Sequence, residues 1–143
     1  MSPPIIIAGG GIWGYSVKAD EVARQVGDLK KQIGLNHIDT AAVYPFSDPH
    51  LSEAIIGEAG FASAGIVIDT KVMWFDGGKG TLTKELIPKS VDESLARLKT
   101  DKVDILYPNQ HPPSLMVIPN TFNVLYSYMQ LRSMSFTPLA PTT

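Results

Sequence analysis

The chain has 143 residues, enough for one ordinary domain, and its 44 % hydrophobic and 18 % charged side chains exclude a charge-rich disordered chain. Twelve basic and 14 acidic residues leave a formal charge of −2, which gives neither nucleic acid nor an anionic membrane an electrostatic reason to bind. The lack of cysteine removes disulfides, thiolate zinc sites and cysteine nucleophiles, and no apolar run approaches the roughly 18 residues of a spanning helix, so a cytoplasmic location with no nucleic-acid and no membrane partner is expected.

Short β-branched runs alternate with helical patterns over the first 107 residues. Ile5–Ala8 reads as a buried strand ending in Gly9, Gly10 and Gly11. Val22, Val26, Leu29 and Ile33 recur at helical spacing from near Asp20, and Gly34 is a natural stop. His37–Thr40 is a second strand. Asp48 and Pro49 have the character of an N-cap and first helical residue for a helix carried by Leu51, Ala54 and Ile55 to Gly60. Gly65–Thr70 is a third strand. Ser90–Glu93 has the form of a capping box opening a helix through Leu95 and Leu98, and Val103–Tyr107 is a fourth strand. Strand–helix alternation of this kind implies an α/β fold with a parallel sheet.

Beyond Tyr107 the composition changes. Residues 108–143 hold one of the 26 charged residues, Arg132, but six of the 11 prolines and three of the five methionines. We expect a domain over residues 1–107 and a divergent, low-charge tail over 108–143, of the kind an altered reading frame or a retained intron produces.

Gly9, Gly11 and Gly14 fit G-x-G-x-x-G after a strand, which raises a Rossmann dinucleotide site as an alternative. The rest of that fingerprint fits badly: the helical period begins near Asp20 rather than inside the glycine turn, and the strand-end acid Asp39 comes late. A flexible loop after the first strand is the competing reading.

Other chemistry gathers at the strand ends. Asp39 closes the second strand and Tyr44 lies in the loop after it. Lys71 follows the third strand, and Asn109, Gln110 and His111 follow the fourth. In a β/α barrel the active site is built from the C-terminal ends of several strands. A tyrosine, whose ordinary pKa is near 10, gives up its proton more readily when an ammonium stabilises the phenolate. An aspartate can orient that ammonium, and a neutral imidazole or amide can hold a carbonyl oxygen. The plainer readings stand beside this one: Asp39 as a loop cap, Lys71 as a solvated charge, Tyr44 as a half-buried loop aromatic.

The segments Ile38–Tyr44, Ser52–Glu53, Ile56–Gly57, Ile68–Lys71, Ser94–Leu98 and Lys102–Tyr107 together resemble the aldo-keto reductase family, and their wording is similar to fungal aflatoxin-aldehyde-reductase-like members. The resemblance spans roughly residues 5–107. It implies a (β/α)8 TIM barrel that binds NADPH and reduces small-molecule carbonyl substrates. A closed barrel takes about 250 residues, so this chain corresponds to the N-terminal half of one, a truncated form expected to be impaired alone and open to self-association through its exposed half-barrel edges. The resemblance makes Tyr44 the proton donor, Lys71 the lysine that assists it, and Asp39 the tetrad aspartate that also lies beside the nicotinamide ribose, a cofactor-binding contact. The family's histidine stands five places after the strand-four aspartate, which here is Asn109. His111 lies two residues further and is taken as the fourth catalytic member, with Asn109 as the alternative. A non-catalytic binding or regulatory module is the reading from a different functional class.

His37 and His50 are expected to be structural, His37 for want of a neighbouring ligand set. No H-x-x-x-H or comparable spacing occurs, so no metal is expected. Trp13 and Trp74 fall in strand-end loops, with packing the expected role and a substrate pocket the alternative.

Overall fold

The computed structural model describes residues 5, 7–11, 13–14, 17–72, 75–76, 79–80 and 85–108. His111, Asn109 and Trp74 lie outside the described residues, as does the tail beyond Pro108.

Four strands form one sheet: β1 (Ile7–Gly9), β2 (His37–Asp39), β3 (Val67–Val72) and β6 (Leu106–Pro108), hydrogen-bonded in that order with every pairing parallel. Helices α1 (Ala19–Ile33), α2 (Leu51–Glu58) and α3 (Leu86–Leu98) connect them. The register sets Gly9, Asp39 and Asp69 abreast across the first three strands, and Lys71 beside Tyr107 one pleat further on.

Helix α1 forms where its periodicity places it. Val22 and Val26 are buried, Asp20 and Glu21 sit in the first turn, and Lys30 and Lys31 in the last, each charge at the favourable end of the helix dipole. Gly34 closes it at φ 72, a left-handed cap that suits glycine.

Alternation along the strands divides the sheet into two faces. Ile38, Ile68, Val72 and Leu106 join Val22, Val26, Ile55, Ile56, Val91, Leu95 and Leu98 in the buried core between sheet and helices. Helices α2 and α3 approach so closely that a Cβ at Gly57 would collide with the Arg97 carbonyl oxygen.

Three expectations are corrected, and one pair of strands was not expected. Helix α2 starts at Leu51, with His50 at its N-cap in a left-handed conformation (φ 79). Asp48 and Pro49 instead belong to the preceding turn, where the Asp48 amide donates to the Pro45 carbonyl and the Leu51 amide to that of Asp48. Helix α3 starts at Leu86, so Ser90 lies inside it rather than at its N-cap. Pro88 is tolerated because first-turn amides have no intrahelical acceptor to lose. Ile7, the first residue of β1, and Ile5, two residues before that strand, are exposed rather than buried, because both lie outside the core that sheet and helices share. Between β3 and α3 lies an unforeseen antiparallel pair, β4 (Phe75–Asp76) with β5 (Lys79–Gly80). The Gly77-Gly78 dipeptide between them was a legible hairpin signal.

Candidate active site

Gly10, Asp39, Tyr44 and Lys71 converge at the C-terminal ends of the strands. The Lys71 ammonium donates to both carboxylate oxygens of Asp39, at 2.7 and 2.8 Å, and to the Thr40 carbonyl at 2.8 Å. All three of its protons therefore have acceptors, and the charge is held at a fixed point rather than waving in solvent. Its Nζ lies 5.4 Å from the centroid of the Tyr44 ring and 5.6 Å from that of Tyr107, inside cation–π range of both. Asp39 remains 35 % exposed while Lys71 is 19 % exposed, so the carboxylate keeps unshared lone pairs toward solvent.

Tyr44 is held by its own loop. Its amide donates to the Ala41 carbonyl, while its carbonyl accepts from the Ser52 amide in the first turn of α2. The Ala42 amide donates to the Lys71 carbonyl, tying the loop to β3. Tyr44 thus reaches the lysine because α2 and β3 both grip the loop that carries it. Its ring packs edge-on against Phe46, with centroids 6.3 Å apart.

Behind the site, two neighbours on α2 anchor the strand ends. The Ser52 hydroxyl donates to the Gly10 carbonyl at 2.7 Å and shares a hydrogen bond with Thr40 Oγ1 at 3.0 Å. Glu53, fully buried, accepts from the Thr70 hydroxyl at 2.7 Å and from Arg97 Nε at 2.8 Å, and Arg97 also donates to Ser94 Oγ. Thr40 and Thr70 are the immediate neighbours of Asp39 and Lys71, so this buried network sets the height of the ion pair. Sequence reading noted Ser52 and Glu53 only as part of a resemblance. Their partners lie up to 44 residues away, beyond any local pattern.

The glycine loop is not a phosphate cradle. Its Gly10 amide donates to the Asp39 carbonyl at 2.6 Å, and Trp13 is buried in the core, its ring 6.1 Å from that of Phe61. Helix α1 begins at Ala19, five residues past Gly14, so no helix N-terminus opens on the glycines and the Rossmann alternative falls. Packing is likewise the role of Trp13.

One layer below, the same inner face carries His37, Asp69 and Asp104, with one ligand-capable atom from each within 4.8 Å of the others. The expectation that His37 lacks neighbouring ligands is therefore corrected: β3 and the approach to β6 bring two carboxylates to it. Burial holds the Asp69 carboxyl above the usual carboxylate range, a shift that the hydrogen bond from the Ile105 amide opposes. Burial also raises the Tyr107 phenol, and the nearby Asp69, Asp39 and Asp104 charges push the same way. Two concavities lie elsewhere: one of about 300 Å³ at the N-terminal end of β3, bordered by Ala62, Ile66 and Lys102, and a groove of about 620 Å³ between the start of α1 and α2. Neither borders Tyr44 or Lys71.

A parallel sheet backed by helices, with its polar residues gathered at the strand ends, defines a β/α-barrel type of protein. An aldo-keto reductase-type structure from Pseudomonas aeruginosa is similar with a TM-score of 0.73 at 22 % identity, over 91 % of this chain and 53 % of that one. An aldo-keto reductase from Bacillus halodurans in its holo form is similar with a TM-score of 0.68 at 24 % identity, over 90 % of this chain and 43 % of that one. The chain spans about half the length of these structures, and its fold is that of half a (β/α)8 barrel. The family model described as "Aldo/keto reductase family" matches residues 6–131, and the chain belongs to that family. The match continues past Tyr107 into the low-charge segment.

Proposed function

We propose that this chain carries the proton-transfer site of an NADPH-dependent reductase of small aldehydes or ketones. The observation that carries the reading is the Lys71 ammonium, fixed by Asp39 and Thr40 and lying 5.4 Å from the Tyr44 ring. Tyr44 donates a proton to the carbonyl oxygen as it gains electrons. Lys71 stabilises the phenolate that remains, and Asp39 holds the ammonium in place and balances its charge. The cofactor, when bound, supplies the hydride to the carbonyl carbon. The half-exposed Asp39 carboxylate, with lone pairs open to solvent, fits a ribose hydroxyl of that cofactor. His111 is the fourth member of this reading, hydrogen-bonding the carbonyl oxygen, with Asn109 as its substitute.

The motif wording supports a fungal aflatoxin-aldehyde-reductase-like subtype, and with it a role in secondary metabolism in the cytoplasm. The division into residues 1–107 and a separate tail over 108–143 rests on the loss of charge. As a lone polypeptide the 143-residue chain binds NADPH weakly and turns over little, because a hydride donor not held at reacting distance contributes little however good the proton donor.

The test is NADPH oxidation with an aromatic aldehyde, by the 143-residue chain and by its Tyr44→Phe variant. Slow turnover that Tyr44→Phe lowers by about 10²-fold or more is expected. Turnover unchanged in the variant would overturn the role of Tyr44, and tight NADPH binding with fast turnover would overturn the impairment. A second reading, a binding module that works by association, is favoured by β1 and β6 standing outermost in the sheet among the described residues and by the exposed Ile5 and Ile7. A concentration-dependent dimer without turnover, seen by sedimentation, would favour it.

A further inference from the structure

The His37, Asp69 and Asp104 cluster sits on the inner face of the sheet and plays no part in the proton transfer just described. Three separate stretches of chain build it: the first residue of β2, the middle of β3, and the segment two residues before β6. His37 Nε2 lies 3.9 Å from Asp104 Oδ2, and the three donor atoms fall within 4.8 Å of one another.

Each donor is oriented from behind. His37 Nδ1 is 3.3 Å from Asn36 Oδ1. In the tautomer that donates to this carboxamide oxygen, the ring proton sits on Nδ1 and the Nε2 lone pair faces the carboxylates. That is how metal-binding histidines are usually held. Asp69 is 3 % exposed and its Oδ1 is fixed by the Ile105 amide at 3.1 Å. The Asp104 amide donates to the Ile68 carbonyl at 2.9 Å, anchoring its backbone, while its side chain is 53 % exposed and forms the entrance.

Two carboxyl groups and one imidazole meet here, each offering one ligand atom. Lys71, on the same strand as Asp69, is committed to Asp39 and Thr40. A divalent cation satisfies all three donors at once. One nitrogen and two carboxylate oxygens suit zinc, which takes such ligands at about 2.0–2.2 Å with water in its remaining position. The donors must close in by roughly 1 Å to reach those bond lengths, and the half-exposed Asp104 side chain is the one free to move.

We propose that His37, Asp69 and Asp104 form a zinc-binding site one layer beneath the Asp39–Lys71 pair, clamping β2, β3 and the approach to β6 together. The site stands whether or not the chain reduces carbonyls.

The experiment is calorimetric titration of the tag-free 143-residue chain with Zn²⁺ in a non-chelating buffer, with thermal unfolding before and after addition of EDTA. Saturable binding of one ion and a rise in Tm that EDTA reverses are expected. Asp104→Asn and His37→Ala should each weaken binding at least tenfold, and Asn36→Ala by roughly 10–100-fold through loss of the orienting hydrogen bond. Asp104→Asn is the variant least able to disturb folding, being at an exposed position. His50→Ala and His111→Ala should leave binding unchanged. No saturable binding, unaltered binding in Asp104→Asn, or loss of binding in the His50 or His111 variant would each overturn the site.

Discussion

The two faces of the sheet divide the work of the molecule between them. On the helix side, Ile38, Ile68, Val72 and Leu106 are shut into an apolar core, and even its charged group, Glu53, is fully buried and paired with Arg97. On the other side, His37, Asp39, Asp69 and Lys71 present polar groups at intervals of two residues along β2 and β3. A strand offers its neighbours alternately to opposite faces, so a single residue step separates a stabilising position from a chemical one. Thr70 and Lys71 show this most sharply: the threonine hydroxyl is buried against Glu53, and the lysine beside it holds Asp39. Stability and chemistry are coupled through the backbone of adjacent residues while their side chains never compete for the same space.

That contrast can be broken from either face, with the largest effect on the helix side. Glu53→Gln strips the charge partner from a mostly buried Arg97, and we expect a loss of about 3 kcal/mol in urea unfolding, the cost typical of breaking a buried pair from one end. Gly57→Ala drives a methyl group into the Arg97 carbonyl oxygen and should cost about 1–3 kcal/mol by the same measurement, with α2 displaced from α3. On the inner face Lys71→Met breaks a partly exposed pair and should change stability by less than about 1 kcal/mol, yet remove whatever aldehyde-dependent NADPH oxidation the chain has. A large unfolding effect at Lys71, or a negligible one at Glu53, would erase the distinction between the faces.

The smallest effect is a pH dependence at Tyr107. Its folded-state phenol lies above the ordinary value, chiefly through burial. Across the window from the ordinary value upward, the folded state holds the proton more tightly than the unfolded one, so stability falls as pH rises through it. Tyr107→Phe should flatten that alkaline decline, and it should remove a component titrating above pH 10 from the absorbance of the tyrosinates. An unchanged alkaline profile would mean that the phenol is more solvated than its surroundings on β6 indicate.

Much of the architecture is legible in the sequence. Helix α1 announced itself through Val22, Val26 and the stop at Gly34, and the strands through β-branched runs near His37, Val67 and Leu106. Local signals misled where two of them competed. Asp48-Pro49 is as good a turn as it is a helix start, and the hydrogen bonds around Pro45 chose the turn. Ser90–Glu93 has the spacing of a capping box, but apolar contacts of Ile87 with the core extend α3 back to Leu86. Asp39 and Lys71 stood out because strand-end positions are readable from the alternation itself, Tyr44 stood out in the loop after β2, and the structure brings the three side chains near one another.

Sequence alone determined the order of the four parallel strands and three helices, the polarity of α1 and the strand-end positions of Asp39 and Lys71, because each depends on residues within a few places of one another. Only the tertiary structure decided that Glu53 meets Arg97 across 44 residues, that Ser52 and Thr40 share a hydrogen bond beneath Gly10, and that His37 faces Asp69 and Asp104. Those pairings depend on parallel strand register and on the close approach of α2 to α3. Register and approach are set by the collective burial of side chains distant in sequence, and no local spacing encodes them.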